Sequence, residues 1–342
     1  MTESDRRVWV KAASALCPGQ ERAIDRITTN IARTLRNSPE ISGTRTPGEN
    51  SEVIREVSKN LQEISQISKE NSGDFRGDSK NLRKSSRNLP KKRVASRCFL
   101  LHGIPGTGKT KVAMAIGKTS GLGVYRIGAG DLFRKEAGES ERELWKVFKA
   151  AESNSPSMVI IDEIDALTPR SGGNSEPSSI CCRITRLLCK LLDTINSPKI
   201  VPSYEDSEGS LGSKPIFVIA TTSRVDSIDK RICRSGRLDC WIHMTAPSEA
   251  GREQILQSML SKIDFDGKTV GMDRKERKEM IHYIAKKTSG YVPADLLRLS
   301  QELIILAHRR ITSSKIEEEA SHRANIRVTI KDINTVLSVV KP

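Results

Sequence analysis

A glycine-rich loop that follows a short apolar run constrains the fold of this chain more than any other feature. Residues 103–110 read Gly-Ile-Pro-Gly-Thr-Gly-Lys-Thr, and residues 98–101 before them are apolar. Glycines at this spacing let backbone N–H groups turn toward a phosphate without a side chain between them. The apolar run has the composition of a strand buried on both faces. Strand, loop and helix in this order predict a parallel α/β sheet that binds a nucleoside triphosphate.

The end of the loop supplies the polar groups that a triphosphate requires. Lys109 is predicted to reach the β- and γ-phosphates, and the Thr110 hydroxyl to bind Mg²⁺. The helix that begins there points its positive end at the phosphates. A glycine-rich turn that ends in Lys-Thr by chance is the alternative interpretation, and the preceding strand argues against it. The predicted nucleotide contacts in this loop are Pro105, Gly106, Thr107, Gly108, Lys109, Thr110 and Lys111.

A second apolar run, residues 158–161, ends on the acidic pair Asp162 and Glu163. Ligands of open α/β sheets bind at the carboxyl ends of the strands, which is where this pair is expected. Asp162 is predicted to hold the metal, directly or through water, and Glu163 to polarise the attacking water. Taken alone, the pair fits a solvated acidic turn equally well. The phosphate loop on the same sheet favours catalysis.

A third segment, residues 217–239, places polar residues after an apolar strand and follows them with several arginines. It resembles the second region of homology of the AAA ATPases. The resemblance implies that Ser223 occupies the sensor position, which is usually Asn. It also implies that Arg234 and Arg237 are arginine fingers, which reach the nucleotide of a neighbouring subunit. A planar, permanently charged guanidinium suits that role because it stabilises charge on the transferred phosphoryl oxygens.

The resemblance to AAA ATPases extends toward both ends of the chain. Residues 288–296 look like the lid segment near the base and ribose, which implies nucleotide contacts for Pro293 and Ala294. Pro293 stands where the family usually has Gly. Near the other end, Gly19 corresponds to the glycine of the segment that leads into the family's module. The ligands implied by the resemblance are ATP and Mg²⁺, and the implied assembly is a hexameric ring.

Alternating strand and helix patterns, together with the resemblance, predict an α/β fold: a five-stranded parallel P-loop sheet with flanking helices, followed by a small all-α lid. Strands are expected near residues 98–101, 124–127, 158–161, 217–220 and 241–244. Helices are expected over residues 21–35, after Lys109, Glu141, Ser179 and Asp229, and in the lid over residues 252–262, 274–287, 294–309 and 331–339. The expected domains are a leading segment (1–37), an insertion (38–93), the α/β nucleotide-binding subdomain (94–246) and the lid (247–342).

The net charge of +15 is partly concentrated just before the first core strand. Residues 76–97 carry nine basic side chains and one acid, and residues 38–93 have the polar, aromatic-poor composition of an unstructured insertion. The basic tract is either a solvated linker or a contact for a phosphate backbone or an acidic partner. Seven cysteines without a C-x-x-C pair suit a reducing compartment, and no apolar run is long enough for a membrane span. We therefore expect a cytoplasmic or nuclear protein.

Three further positions depart from the AAA pattern, beside Ser223 and Pro293. Glu136 stands where protein-threading members carry an aromatic residue in the central-pore loop, and its surroundings resemble the first ATPase ring of valosin-containing-protein-like members. Thr194 replaces the Gly of an intersubunit signalling segment, and Met259 stands where relatives have a His that contacts adenine. These departures favour a slow or partner-activated ATPase.

The predicted function is a ring-forming AAA ATPase that couples ATP hydrolysis to remodelling or disassembly of a protein or ribonucleoprotein complex. Its expected partners are further copies of itself or another AAA subunit, and a protein substrate or adaptor. Two alternatives stay open. The basic charge favours a nucleic-acid loader or initiator, and Glu136, Ser223 and Thr194 favour a weakly active regulatory or scaffold subunit.

Overall fold

A parallel sheet with helices on both faces forms the centre of the computed structural model. The structure describes residues 3–36, 96–133, 138–170, 179–196, 215–260, 264–265, 274–314 and 327–341. The predicted insertion, most of the basic tract and Glu136 lie outside these residues.

The five strands of the sheet are β1 (Cys98–His102), β2 (Gly123–Gly128), β3 (Ser157–Asp162), β4 (Ile216–Thr222) and β5 (Cys240–His243). All pairs are parallel, in the order β2-β3-β4-β1-β5. The predicted fold class is confirmed. Because β1, β3 and β4 are parallel and lie side by side or one strand apart, the segments that follow them meet at one edge of the sheet.

Helices cover this sheet and form a separate group after it. Those of the α/β part are α1 (Glu3–Leu16), α2 (Glu21–Arg36), α3 (Lys109–Ser120), α4 (Ala129–Leu132), α5 (Glu139–Ser153), α6 (Ile164–Leu167) and α7 (Ser179–Asn196). Those of the lid are α8 (Glu249–Met259), α9 (Arg274–Lys287), α10 (Pro293–Ser314) and α11 (Ile330–Val339), beside the two-residue parallel strands β6 (Asp264–Phe265) and β7 (Arg327–Val328). None of the described helices is long and apolar enough to cross a membrane.

The two faces of the sheet bury separate hydrophobic clusters. In β1, Cys98 and Leu100 join the cluster that α5 and α7 cover, whereas Phe99 and Leu101 join the cluster beneath α2 and α3. All four residues are fully buried. Burial on both faces explains why the strands appear in the sequence as continuous apolar runs and not as alternating patterns. A third cluster belongs to the lid alone.

The predicted helix after Asp229 is wrong, because turns follow that residue. The Asp229 carboxylate accepts the backbone N–H of Arg231 at 2.8 Å and also pairs with its guanidinium. Gly236 has a φ of 84°, and its N–H donates to Asp239 at 3.1 Å. Side-chain contacts with the backbone compete here with helical hydrogen bonds, and the left-handed glycine reverses the chain. Helix α1 and the β6–β7 pair are features that the sequence did not predict.

A buried arginine joins two lid helices. Arg252, on α8, is 6% exposed. Its guanidinium donates to the carbonyl of Ala285 on α9 at 3.1 and 2.9 Å, and to the carbonyl of Pro247 at 3.0 Å. The hydrogen bonds satisfy both the buried charge and the two carbonyls, which makes Arg252 a structural part of the lid.

We expect Arg252→Met to destabilise the chain by about 1–3 kcal/mol, because the buried Pro247 carbonyl loses its guanidinium donor and the Ala285 carbonyl keeps only the Thr288 hydroxyl at 3.2 Å. At roughly 2–4 °C per kcal/mol, thermal denaturation followed by circular dichroism resolves this loss. Arg298→Met is the matched control, since Arg298 is an exposed residue of α10. Equal melting temperatures for the two variants would contradict this role of Arg252.

Candidate functional site

Close backbone packing sets the shape of the loop between β1 and α3. A Cβ on Gly103 would lie 2.1 Å from the carbonyl oxygen of Met244, and Gly103 has a φ of 150°. A Cβ on Gly106 would lie 2.8 Å from Cγ2 of Val292, and Gly106 has a φ of 79°. Only glycine fits at both positions. Sheet and lid thus hold the loop from two sides.

Lys109 opens α3 and folds back over the loop. Its Nζ donates to the carbonyl oxygens of Gly103 and Ile104, both at 2.9 Å. Burial lowers the pKa of Lys109, although the negative charges of Asp165 and Asp162 partly oppose this. The ammonium group is therefore held by the loop backbone and also interacts with the negative charges of Asp162 and Asp165.

Asp162, the last residue of β3, is the centre of a hydrogen-bond network. Its Oδ1 accepts from the hydroxyls of Thr110 at 2.7 Å and Thr221 at 2.6 Å. Its Oδ2 accepts from the guanidinium of Arg126 at 2.8 Å. Burial raises the pKa of Asp162, but these three hydrogen bonds outweigh it and hold the pKa below its usual value. The carboxylate is therefore ionised and fixed in orientation.

Glu163 follows with a backbone conformation that is rare for its residue type. Its φ of 53° and ψ of 53° lie in the left-handed region, and it is the one non-glycine residue with positive φ in the described ranges. Such a conformation costs on the order of 1–3 kcal/mol and is typical of functional sites. The Glu163 N–H donates to the Thr221 hydroxyl at 3.2 Å, and its side chain is exposed. The carboxylate is thus free to meet a ligand.

A cleft of ≈ 450 Å³ lies between the loop, the strand ends and the lid. The structure brings eleven of the predicted site residues together on its wall: Pro105, Gly106, Gly108, Lys109, Thr110, Lys111, Asp162, Glu163, Ser223, Pro293 and Ala294. Pro293 begins α10, where a missing N–H is tolerated, and the Ala294 N–H donates to the Gly106 carbonyl at 3.2 Å. The Pro in place of Gly is therefore compatible with close contact between lid and loop.

Two predicted nucleotide contacts do not line the cleft. Thr107 is fully buried, and its hydroxyl donates to the Ile104 carbonyl at 2.9 Å. Gly19 packs against the start of α8, where a Cβ on it would lie 3.4 Å from Gly251. The adjacent Gln20 donates to the carbonyls of Thr107 at 3.4 Å and Thr245 at 3.3 Å. The leading segment therefore reaches the phosphate loop through Gln20.

The donor set at the cleft suits Mg²⁺. Thr110 and Asp162 offer a hydroxyl and an ionised carboxylate oxygen 2.7 Å apart. Hard divalent cations prefer oxygen ligands of this kind, and Mg²⁺ keeps several waters beside one or two protein ligands. These two residues therefore fit the metal that the sequence predicted.

The two predicted arginine fingers differ in their surroundings. Arg234 is exposed in the turn before Gly236. Arg237 is engaged within its own chain, because its Nε and Nη2 donate to the Asp193 carboxylate at 2.7 and 2.8 Å. This bidentate pairing lowers the pKa of Asp193 and raises that of Arg237. Arg237 also donates to the backbone carbonyl of Arg231 and so closes the turn.

Sequence reasoning missed Thr221, Thr222 and Leu297, which line the cleft, and also Gln20 and Arg126, which contact residues at its edge. Gln20 follows the glycine of the leading segment, and Arg126 lies on β2, remote in sequence from both acidic residues. Thr221 lies at the polar end of β4, two residues before Ser223. This closeness to a predicted site residue was the only sequence signal that pointed to it. The strand order places β4 next to β3, and this brings Thr221 close to Asp162.

Comparisons with known proteins match residues 99–246 to the family described as ATPase family associated with various cellular activities (AAA). The chain is 36% identical over 215 residues to an uncharacterized AAA domain-containing protein of Schizosaccharomyces pombe (63% of this chain, 25% of the relative). It is 34% identical over 218 residues to the nuclear valosin-containing protein-like protein of Mus musculus (64% and 23%). It is 32% identical over 248 residues to the cell division cycle protein 48 homolog of Archaeoglobus fulgidus (72% and 30%). The chain spans between 23% and 30% of the length of these relatives.

We expect Gly106→Ala to weaken binding of a fluorescent ATP analogue by about tenfold, since the left-handed backbone alone costs roughly 1–2 kcal/mol for a residue with a Cβ. The added methyl group also presses on Val292 and Ala294 and separates the loop from the lid. Gly130→Ala is the control, because a Cβ there meets no atom within 4 Å and needs no positive φ. Affinity equal to that of the control would show that the loop–lid contact is dispensable.

Proposed function

Because the chain belongs to the AAA family of ATPases, we propose that it hydrolyses ATP in a ring and couples hydrolysis to remodelling or disassembly of a protein or ribonucleoprotein complex. The observation that carries the proposal is the convergence of Lys109, Thr110, Asp162 and Glu163 on one cleft, which the lid lines on one side. The lid has its own hydrophobic cluster, which supports a nucleotide-binding subdomain over residues 94–246 and a lid over residues 247–342. Residues 1–37 lead into this module, and residues 38–93 interrupt it.

Different residues of the cleft bind the phosphates, hold the metal and orient the attacking water in this proposal. Backbone N–H groups of the loop and the start of α3 hold the phosphates, and Lys109 exchanges its contacts with the Gly103 and Ile104 carbonyls for phosphate oxygens. Thr110 and Asp162 would hold Mg²⁺, which would supply positive charge against the phosphates. Glu163 accepts a hydrogen bond from the attacking water and orients it. Ser223 follows β4 directly and lines the same cleft, which supports a sensor role for it.

The surroundings of the arginines support a ring in which only one of them crosses between subunits. Arg234 is exposed, as a residue that enters a neighbouring site must be. Arg237 is already paired with Asp193, so we assign it the role of holding the turn that presents Arg234. An arginine that acts on a neighbour's nucleotide requires an oligomer, and further copies of this chain or another AAA subunit supply it.

The similarity to a relative named nuclear valosin-containing protein-like supports a nuclear or cytoplasmic location. A protein or ribonucleoprotein substrate is what the sequence resemblance implies for this chain. Ser223 has a shorter side chain than the Asn usual at this position, which supports slow or partner-activated turnover. A weakly active regulatory subunit is the second candidate, favoured by this same residue. ATP binding without turnover distinguishes it from the first.

Glu163→Gln is expected to lower ATP turnover by about 10²- to 10⁴-fold while ATP binding persists, because the amide no longer attracts the proton of the attacking water. Turnover is measured across a range of protein concentrations, with mass determination in the presence of ATP. We expect wild-type turnover to rise with a ring-sized species. ATP binding without wild-type turnover at any concentration would favour the regulatory candidate.

Arg234→Ala is expected to lower turnover by about 10³- to 10⁵-fold if the residue completes a neighbour's site. Mixing it with Glu163→Gln should restore part of the activity, because each variant supplies the group that the other lacks. Lys230→Ala is the control, since it removes one exposed charge from the same turn. Full activity of Arg234→Ala, or no recovery in mixtures that do form rings, would exclude action between subunits.

A further inference from the structure

Thr221 touches both acidic residues of the cleft. It is the penultimate residue of β4, and it is 2% exposed. Its hydroxyl donates to Oδ1 of Asp162 at 2.6 Å and accepts the backbone N–H of Glu163 at 3.2 Å. A hydroxyl has one donor and two acceptor sites, so one side chain can serve both contacts. Thr221 thus connects the residue that fits the metal with the residue that faces the attacking water.

Two of the three side-chain contacts of Asp162 come from hydroxyl groups on the same oxygen. Thr110 and Thr221 both donate to Oδ1, whereas Arg126 donates to Oδ2. The Arg126 side chain is 54% exposed, and an exposed ion pair constrains geometry weakly. Thr110 is itself expected to turn an oxygen lone pair toward the metal. Thr221 is therefore the buried partner that fixes the Asp162 carboxylate without binding the metal.

The contact with Glu163 acts on the backbone. Left-handed φ and ψ are unfavourable for a residue with a Cβ, and surrounding contacts must hold such a residue in place. The Thr221 hydroxyl supplies one of these contacts by accepting the Glu163 N–H. Because the N–H and the side chain belong to the same residue, fixing this N–H also fixes the position of the Glu163 Cα, from which the side chain extends.

The neighbouring threonine does not duplicate this arrangement. Thr222 is also buried, but its hydroxyl donates to Oδ1 of Asp165 at 2.8 Å. Asp165 lies one turn further along, in α6. Consecutive residues of a strand point to opposite faces, which explains why the two hydroxyls serve different carboxylates.

We propose that Thr221 is a positioning residue that sets the metal-binding orientation of Asp162 and the backbone position of Glu163 together. The proposal rests on the proposed ATPase function, because it assigns Thr221 to the same site. Partners that orient metal ligands in this way typically contribute 10- to 100-fold to metal affinity or activity. If Thr221 had only a structural role, substituting it would lower the stability of the chain and would leave the effect of Mg²⁺ on nucleotide affinity unchanged.

The test compares Thr221→Val, which keeps the shape of the side chain and removes the hydroxyl, with Thr221→Ser, which keeps the hydroxyl. Binding of a fluorescent ATP analogue is measured in excess Mg²⁺ and in EDTA. We expect Thr221→Val to reduce the Mg²⁺-dependent gain in affinity by about 10- to 100-fold and to leave affinity in EDTA unchanged. Thr221→Ser should restore the gain. In turnover assays, Thr221→Val should require more Mg²⁺ for half-maximal rate and also reach a lower maximal rate.

Thr185→Val is the matched control. Thr185 is equally buried, at 2% exposure, and its hydroxyl donates within α7 to the Cys181 carbonyl at 2.8 Å. This variant should bind the analogue as the wild type does in both solutions. If Thr221→Val fails to fold, Thr221→Ala replaces it in the same comparison with Thr221→Ser.

Two results would overturn the proposal: an unchanged Mg²⁺-dependent gain in Thr221→Val, or an equal loss in folded Thr221→Ser. Failure of the proposed function looks different. In that case the wild type itself shows no turnover at any protein concentration. The binding of the analogue to Thr221→Val and Thr221→Ser, in Mg²⁺ and in EDTA, still tests the role of Thr221. If Mg²⁺ does not raise the affinity of the wild type for the analogue, both the proposed function and the proposed role of Thr221 are contradicted.

Discussion

Burial of the sheet on both faces is the constraint on which the rest of this structure depends. A strand with apolar side chains on both faces must be covered by helices on each side, and crossover helices make the strands parallel. Parallel strands end at the same edge, so the residues after β1, β3 and β4 are neighbours although they are far apart in sequence. The cleft therefore follows from the way the core is buried.

At that edge, short polar side chains fix the orientation of the Asp162 carboxylate and the backbone of Glu163. The Thr110 and Thr221 hydroxyls both donate to Asp162, at 2.7 and 2.6 Å, and burial strengthens such contacts because little water competes for them. The same proximity holds Glu163 in a backbone conformation that it would not adopt alone. The contacts fix the orientation of the Asp162 carboxylate, whereas the Glu163 side chain is exposed.

The opposite side of the cleft depends on close approach between backbones. Gly103 lies against Met244, directly after β5, and Gly106 lies against the lid, with no room for a Cβ at either position. The Ala294 N–H adds a direct hydrogen bond between lid and loop. The buried Arg252 ties the helix that starts the lid to the next one.

The sequence by itself determined the fold class, the phosphate loop and the acidic pair, because each depends on residues that are adjacent along the chain. Continuous apolar runs specify strands buried on both faces, and glycines at fixed spacing specify a loop around phosphates. The tertiary structure alone decided which side chains complete the site. Arg126 and Thr221 reach Asp162 because β2 and β4 flank β3, and Arg237 meets Asp193 because the turn after Asp229 folds against α7. Such contacts depend on strand order and packing, which local sequence patterns do not encode.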